Sequence, residues 1–421
     1  MEKIKIEKLV FGGQALGHAT TGQVVFVWGA LPGETVEVNI TKKQKTHWEG
    51  VATKILIPSP DRIPSVEKHF LSCSPWQIMS YESENDWKVK IATETYKKIG
   101  GLELDLDIAH TTEPYHYRNK IEYSFAESDG KIHLAFFERG KKIRTTIPEC
   151  ILANEKINEA AQVILQWINK EKIPVRSLKA LIGRANSDNQ VALALFIKDK
   201  LEFSSYPELD SNCLGFQLYY STHKSPASVP TELMYSVGDN FLVSKLLNAK
   251  LKFGNLSFFQ VNSEIFEAAL KDMSNFLEPD SPVLDLYSGV GSISIPLSKN
   301  IRSCTLVDNN EEAIALAKDN IALNNLANYE AVCKPMEKIT ELIENQHTVL
   351  LDPPRAGLHE DVTKRLLEVV PKRIIYLSCD LATHARDIGL LKEKYALAFS
   401  RLYNFFPRTP HIEGLVVLER S

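Results

Sequence analysis

The sequence predicts an α/β protein in which a doubly wound, mainly parallel sheet follows a small antiparallel barrel and a mixed α+β region. The part after about residue 245 alternates unbroken apolar strands with amphipathic helices, which is typical of a parallel sheet covered on both faces. The first part instead places short apolar runs between glycine turns, which is typical of a small barrel. With 421 residues, the chain is long enough for two or three domains.

Three domains are predicted along the chain. The first, residues 1–60, contains the barrel strands and ends in the breaker-rich linker PSPDRIP. The second, residues 61–245, combines a helical pattern at Trp87–Ile99 with two strands that meet at Asp129-Gly130, a hairpin signal. The third, residues 246–421, contains the alternating strands and helices. Ligands of such sheets bind beyond the carboxyl ends of the strands, so a site is expected at that edge.

The composition is that of an ordinary globular protein. No apolar run approaches the roughly 18 residues that a membrane helix needs, and the charged first residues do not resemble a secretory signal. Six cysteines without a CxxC pair indicate reduced thiols rather than a disulfide framework, so a cytoplasmic protein is expected. The net charge of −4 argues against a surface built uniformly for nucleic acid, and local basic clusters would have to bind one.

A glycine-containing loop, Asp285–Gly291, follows a predicted strand and is predicted to open a helix. Asp308 lies 23 residues after Asp285, at the next strand end, where a carboxylate can bind ribose hydroxyls. The loop has the pattern GxG rather than GxGxxG, and an acidic residue before it would repel phosphate. S-adenosylmethionine, which carries cationic groups, therefore fits better than NAD. For the loop alone, a purely structural turn is an equally good interpretation, and Asp308 favours the functional one.

Three chemically reactive side chains also fall at predicted strand ends. Cys379 ends the apolar run IIYLSCD, Asp352 lies in LLDPPRAG, and Glu413 lies in FFPRTPHIEG. A cysteine and a carboxylate in this arrangement are candidates for a nucleophile and a base. Taken singly, each has an ordinary structural interpretation as a packed thiol, a surface charge or a helix cap. Their coincidence at one sheet edge indicates an enzyme.

Four motifs together resemble the RNA uracil-5-methyltransferases. They are YLSCDLATHARD, LLDPPRAG, SFFQVN at Ser257–Asn262 and FFPRTPHIEGLVVL. The N-terminal GALPGETVEV also looks like the TRAM barrel that precedes the catalytic part in many members, and RNK at Arg118–Lys120 extends the likeness into the middle. The resemblance implies a Rossmann-like methyltransferase domain dependent on S-adenosylmethionine, an OB-like TRAM barrel, and a central α+β domain that binds RNA.

The resemblance also implies what each site residue does. Cys379 would be the thiolate that adds to C6 of uracil, so that C5 can accept a methyl group. Glu413 would then remove the C5 proton, and Asp352 would lie against the base and the cofactor. The cofactor S-adenosylmethionine would be bound by Gln260, Tyr287, Gly289, Gly291, Ser292, Asp308 and Asp352. No residue of the chain is assigned to a metal.

The implied partner is RNA and the implied product is 5-methyluridine. Ribosomal RNA of the 23S type is the first expectation and tRNA the second, because the central domain carries no sequence code that identifies the uridine. A stacked uridine hides C5 and C6, so the target must be flipped out or lie in a loop. The aromatic residues that would stack it, or equally belong to the core, are Phe258, Phe259, Phe405 and Phe406. The protein is expected to be a monomer without a membrane partner.

The sequence departs from the family pattern at three places. Many members of the ribosomal branch hold an iron–sulfur cluster with four cysteines after the barrel, whereas this chain offers Cys73 and Cys150, so no cluster is expected. Asp380-Leu381 replaces the usual Asn-Pro after the nucleophile, and the carboxylate is expected to raise the pKa of the thiol. Asp308 and Ser292 replace a commoner glutamate and asparagine, and both keep an oxygen acceptor.

Two alternatives remain open from the sequence. The chain is either an active enzyme or an RNA-binding or assembly protein on the same scaffold, with its chemistry impaired at Asp380-Leu381. Methylation of cytosine C5 also uses a cysteine, but the usual Pro-Cys context is absent around Cys379.

Overall fold

The computed structural model describes residues 2–141, 143–335 and 338–421. Its N-terminal part is a closed five-stranded barrel with the strand order β1-β2-β3-β5-β4. The strands are β1 (Glu2–Leu9), β2 (Ala15–His18), β3 (Val24–Trp28), β4 (Thr35–Lys43) and β5 (Trp48–Ile57). Alternate residues such as Ile4, Ile6, Val25 and Val27 point inward and are fully buried, as the pleat of a half-buried strand requires. The predicted barrel is confirmed, but it is not wholly antiparallel, because β3 and β5 pair in parallel.

A helical segment leads from the barrel towards the C-terminal half. It comprises α1 (Phe70–Cys73), α2 (Tyr81–Thr95) with a wider π-helical turn at Tyr96–Gly100, and the short strand β6 (Ile108–Ala109). Ser80 caps α2 by accepting a hydrogen bond from the Ser83 backbone N–H, so the predicted helix begins earlier than its apolar pattern suggested. The buried face of α2 belongs to one continuous core with the barrel and the C-terminal sheet.

The middle of the chain forms a seven-stranded sheet of order β13-β12-β11-β10-β7-β8-β9. Its strands are β7 (Lys120–Ser128), β8 (Lys131–Phe137), β9 (Arg144–Thr146), β10 (Leu178–Ala185), β11 (Val191–Ile197), β12 (Cys213–Tyr220) and β13 (Glu232–Gly238), and helix α3 (Glu155–Lys170) packs on it. Asp129 and Gly130 both have positive φ, as the predicted two-residue hairpin turn requires. A separate hairpin, β14 (Phe241–Leu246) and β15 (Ala249–Gly254), follows.

The C-terminal half contains an eight-stranded sheet of order β18-β17-β16-β19-β20-β22-β21-β6. Its further strands are β16 (Val283–Leu286), β17 (Cys304–Asp308), β18 (Tyr329–Cys333), β19 (Thr348–Leu351), β20 (Arg373–Ser378), β21 (Tyr395–Tyr403) and β22 (Glu413–Arg420). Its helices are α4 (Ser263–Ser274), α5 (Glu311–Leu323), α6 (Glu360–Val369) and α7 (Leu381–Leu391). Strands β16 to β20 pair in parallel, which confirms the predicted doubly wound sheet, and β22 and β21 add an antiparallel edge.

Two predicted helices of this half differ in the structure. After β16 the chain makes successive turns and a short 3₁₀ segment at Ser298–Asn300 in place of a regular helix. Pro296 explains this, because it lacks the N–H that would bond the carbonyl four residues earlier. Between β18 and β19 the described residues contain a 3₁₀ turn at Thr340–Leu342, and residues 336 and 337 of the predicted helix lie outside the described part. Over the described residues, no helix combines the length and apolar character that crossing a bilayer requires.

Candidate active site at the carboxyl ends of the parallel strands

A cavity of about 630 Å³ lies where the parallel strands of the C-terminal sheet end. Nearly all of the site residues predicted from the sequence line it: Gln260, Tyr287, Gly289, Ser292, Asp308, Asp352, Cys379 and Glu413. Gly291 lies behind the cavity wall, where a Cβ would come within 2.5 Å of Ile295 and 2.8 Å of Leu306. Gly291 is therefore needed for packing under the loop, at a φ of +85° that favours glycine.

The loop after β16 is held to the next strand by its backbone. The Ser288 N–H donates to the Val307 carbonyl at 3.1 Å, and the Gly289 N–H donates to Asp308 Oδ2 at 2.9 Å. The other carboxylate oxygen of Asp308 accepts from the Asn310 N–H at 2.9 Å. Gly289 has a φ of +55° and open space within 4 Å of where its side chain would be. A ligand can therefore approach the backbone closely beside a fixed carboxylate.

Asp285 has a different position from the one expected. It is buried in β16 and does not line the cavity, so it does not face a ligand's phosphate directly. Burial raises the pKa of Asp285 to about 7, although hydrogen bonds from Ser294 act in the opposite direction. The acidic residues that line the cavity are Asp308, Glu312, Asp352 and Glu413.

Gln260 connects the cavity to the central sheet. Its Nε2 donates to Asp352 Oδ2 at 3.2 Å, and its backbone carbonyl accepts from Asn119 Nδ2 at 2.8 Å. The Asn119 N–H also donates to the Val261 carbonyl at 3.0 Å. Residues just before β7 thus hold the segment that carries Gln260.

The sheet register brings Cys379 and Glu413 together. Cys379 directly follows β20, and Glu413 is the first residue of β22, which runs antiparallel to β20 with Ser378 opposite Gly414. One further step of this register places Glu413 opposite Cys379. The short antiparallel edge, rather than the parallel sheet, therefore supplies the carboxylate beside the thiol.

These acidic groups hold their protons strongly. Burial, and then the charges of Glu413 and Asp352, raise the pKa of the Cys379 thiol to about 12. Burial, and then Asp352, raise the pKa of Glu413 well above its usual range. Burial and Asp285 raise the pKa of Asp352 to about 7. The pKa values of the Cys379 thiol and of both carboxyl groups are thus raised together, and their ionisations are linked.

Arg355 is the cationic group that opposes this effect. Its guanidinium lowers the pKa of Cys379 by charge and by a side-chain hydrogen bond, and it lowers the pKa of Glu413 by charge. Its charge beside Cys379 and Glu413 gives Arg355 a role in stabilising their ionised forms. The motif LLDPPRAG places it three residues after Asp352.

Asp380 does not act on the thiol as expected. Its carboxylate caps α7 by accepting hydrogen bonds from the Ala382 and Thr383 N–H groups, both at 3.0 Å. The carboxylates that chiefly raise the pKa of Cys379 are Glu413 and Asp352 instead. The expectation that Asp380 weakens the nucleophile is wrong, because this side chain is engaged by the helix N-terminus.

The four candidate stacking residues divide into two groups. Phe259 and Phe405 are buried in the core, whereas Phe406 lines the cavity and Phe258 is 70% exposed at its rim. His411 was not predicted; it also lines the cavity, with its ring centroid 5.5 Å from that of Phe406. Burial, together with the charges of Arg355, Lys88, Arg118 and Arg139, lowers the pKa of His411 to about 4. Lys88 is fully buried and paired with Glu84, so the cations beside the cavity that are compatible with a polyanion are the arginines.

Comparisons with known proteins agree with this geometry. The family described as tRNA (Uracil-5-)-methyltransferase matches residues 239–421, and the TRAM domain matches residues 2–52. A protein of Aquifex aeolicus named as an RNA methyltransferase is 30% identical over 99% of this chain and 98% of its own length. A similarly named protein of Caldanaerobacter subterraneus subsp. tengcongensis is 28% identical over 99% of this chain and 98% of its own length.

A solved structure has the same overall fold. The tRNA (uracil-54, C5)-methyltransferase of Pyrococcus abyssi, in complex with S-adenosyl-L-homocysteine, superposes with a TM-score of 0.80. It is 26% identical and covers 99% of this chain and 100% of its own. From its motifs, its fold and these relatives, the chain belongs to the RNA uracil-5-methyltransferase family, whose members use S-adenosylmethionine as methyl donor.

Proposed function

We propose that this enzyme methylates C5 of a uridine in RNA through a covalent bond between Cys379 and C6 of the base. The observation that carries the proposal is the convergence of a thiol, a guanidinium and a carboxylate in one cavity. Arg355 lowers the pKa of Cys379, and the strand register brings Glu413 opposite it. A nucleophile, a group that stabilises its anion and a base are what addition and elimination at a uracil ring require.

The proton balance follows from these contacts. Cys379 first loses its proton to solvent, the thiolate sulfur then bonds to C6, and the C5=C6 electrons move onto O4 as an enolate. S-adenosylmethionine, when bound, supplies the methyl group that C5 accepts and a positive charge that favours the ionised forms of Asp352 and Glu413. The Glu413 carboxylate then takes the proton from C5, the C5=C6 double bond re-forms, and the sulfur leaves C6 as a thiolate that Arg355 stabilises.

The proposed cofactor residues are those predicted from the sequence, except that Gly291 acts through packing under the loop and not by lining the cavity. Asp308 lies where it can accept hydrogen bonds from ribose hydroxyls, and the open backbone at Gly289 lets the ligand come close to the loop. Gln260 and Asp352 are joined by a hydrogen bond and are placed to hold the polar end of the donor. Tyr287 and Ser292 complete the wall, and Gly291 acts through packing.

We also propose that different regions of the chain bind the cofactor and the RNA. Residues 246–421 bind the cofactor and carry out methyl transfer, while the barrel at 1–60 and the central region at 61–245 hold the RNA. In support, the arginines around His411 come from two of these regions: Arg118 and Arg139 belong to the central region, and Arg355 belongs to the catalytic half. A monomer in the cytoplasm is the form in which we expect it to act.

Ribosomal RNA of the 23S type is the predicted substrate, and tRNA is the second candidate. One observation favours tRNA, namely the full-length likeness to the tRNA (uracil-54, C5)-methyltransferase of Pyrococcus abyssi. Mapping of 5-methyluridine in both RNA classes, before and after deletion of the gene, separates the two. Loss of the modification from one class alone assigns the substrate.

Trapping with 5-fluorouridine RNA tests the covalent mechanism. In the presence of S-adenosylmethionine, fluorine at C5 blocks the last proton removal, so RNA should stay bonded to the peptide that contains Cys379. Cys379→Ala should form no adduct, while Cys333→Ala, at an exposed cysteine outside the cavity, should react like the unchanged protein. Tight RNA binding without any adduct would contradict the proposal and favour an RNA-binding or assembly protein.

A further inference from the structure

A second cluster of reactive side chains lies outside the methyl-transfer cavity, in the linker after the barrel. Glu67, His69 and Cys73 bring a carboxylate oxygen, an imidazole nitrogen and a thiol within 4.8 Å of one another. His69 Nε2 lies 3.2 Å from Glu67 Oε1, and Cys73 Sγ lies 3.9 Å from Glu67 Oε2. All three side chains come from one turn of chain around α1.

Cys150, from the segment before α3, completes this cluster. It is fully buried, and both the Cys73 thiol and the His69 ring interact with its thiol. A cavity of about 370 Å³ reaches both cysteines and gives a small ion a path to them. Two parts of the chain separated by more than 70 residues thus meet here, and Cys150 adds a fourth potential donor beside the three atoms that lie within 4.8 Å of one another.

The polar contacts of the cluster are incomplete without a further group. His69 Nε2 is buried and makes no hydrogen bond of acceptable geometry with any residue that the structure describes, although Glu67 Oε1 is near. A buried ring nitrogen without a partner is unfavourable and calls for an explanation. The carboxylate of Glu67 is itself oriented by the Ile151 N–H at 2.7 Å and by Gln77 Nε2 at 2.8 Å. Metal-binding carboxylates are commonly held in this way.

The donor set decides which metal group fits. An iron–sulfur cluster of the kind found in the ribosomal branch of this family needs four thiolates, and among the described residues this cluster contains the two cysteines already named. Two thiolates, an imidazole and a carboxylate instead match a single tetrahedral zinc ion, whose neighbouring ligand atoms lie about 3.3–3.8 Å apart when its bonds are about 2.0–2.3 Å long. The separations of 3.2 and 3.9 Å are close to these.

We propose that Glu67, His69, Cys73 and Cys150 bind one structural Zn²⁺ ion in place of a cluster. The ion would fasten the linker after the barrel to the central region. From Cys150 the chain leads to Ala153, which pairs with Arg118, and the next residue, Asn119, holds the segment that carries Gln260. The site goes beyond the proposed methyl transfer and does not depend on it.

Metal analysis of the full-length protein tests this directly. The chain is expressed in zinc-supplemented medium and purified anaerobically without chelators or a metal-affinity tag, and its metal content is measured by mass spectrometry. We expect about one zinc per chain and no acid-labile sulfide. Replacement by Co²⁺ should give the visible absorption of a tetrahedral thiolate site, and this absorption reports on the ligands independently of enzyme activity.

Variants assign the ligands. Cys73→Ser and His69→Ala should each weaken Zn²⁺ binding, measured by competition with a chromogenic chelator, by more than the roughly 10–100-fold typical of losing a ligand's hydrogen-bond partner. Cys213→Ser, at a half-buried cysteine elsewhere in the central region, should keep the zinc. If a ligand variant fails to fold, the metal content and Co²⁺ spectrum of the unchanged protein decide alone. Iron with sulfide, a Cys73–Cys150 disulfide without metal, or a fully reduced protein that binds no zinc would each overturn the proposal.

Discussion

Replacement of Arg355 by leucine tests how the nucleophile is activated. In the structure, burial and two carboxylates raise the pKa of Cys379 to about 12, and the Arg355 guanidinium is the group that opposes them. Removing the guanidinium therefore removes the positive charge beside the developing thiolate. The pKa of Cys379 should rise further, and less thiolate should be present at every pH below it.

The size of the effect follows from the contact. A hydrogen bond to a charged group contributes about 1.5–3 kcal/mol, and we take the lower end because Arg355 is exposed to solvent. About 1.4 kcal/mol corresponds to one pKa unit, so Arg355→Leu should lower the reactivity of Cys379 about tenfold at fixed pH. Arg302→Leu, at an exposed arginine away from the cavity, should leave it unchanged.

Alkylation by iodoacetamide, followed by peptide mass spectrometry, measures this reactivity across a pH series. The exposed Cys333 serves as an internal reference in the same sample. The profile of Cys379 should shift to higher pH in Arg355→Leu, while that of Cys333 stays in place. Equal alkylation rates of Cys379 in the two proteins at every pH would refute the view that Arg355 stabilises the thiolate.

Three further predictions concern the acidic groups. Glu413→Gln should permit methyl transfer but slow elimination, so a Cys379–RNA adduct should accumulate with ordinary uridine on denaturing gels; rapid turnover would assign the base elsewhere. Asp380→Ala should cost about 1 kcal/mol in thermal or urea unfolding through loss of a helix cap, whereas Asp380→Asn should be nearly neutral, and neither should change alkylation of Cys379. If both variants clearly increased the reactivity of Cys379, the expectation from the sequence that the Asp380 carboxylate raises the pKa of this thiol would be correct. Because burial raises the pKa of Asp285 to about 7, the folded state favours its protonated form, and its contribution to stability should fall between about pH 4 and pH 7. The melting temperature of Asp285→Asn should therefore decline less over that range than that of the unchanged protein. Parallel plots of melting temperature against pH for the two proteins would contradict the raised pKa of Asp285.

Much of the fold could be predicted because its patterns are local. The alternation of apolar strands with amphipathic helices identifies the parallel sheet, and the turn residues between short apolar runs identify the barrel. Asp129-Gly130 predicted its hairpin because that turn needs residues that adopt positive φ. The helix predicted after the cofactor loop does not form, because Pro296 interrupts the backbone hydrogen bonds of a helix even though the surrounding apolar residues have helical spacing.

The residues of the site were also predictable, but their ionisation states were not. The motifs that resemble the family selected Cys379, Asp352 and Glu413, because residue type and position left an ordinary structural role open for each. The pKa of each depends on burial and on charges that approach from other strands, as with the effect of Asp352 on Glu413. His411 was overlooked because a lone histidine carries no positional signal until the cations around it are known.

The sequence by itself therefore determined the kinds of domain, the family, and which side chains are candidates for methyl transfer, since motifs and periodicity are properties of neighbouring residues. The tertiary structure alone decided which of these side chains act on each other. It paired Glu413 with Cys379 through an antiparallel edge, turned Asp380 into a helix cap, and joined Glu67 and His69 to two cysteines from separate segments. These outcomes depend on the packing of chain segments that are distant in sequence, and electrostatic effects act through the short distances that packing creates.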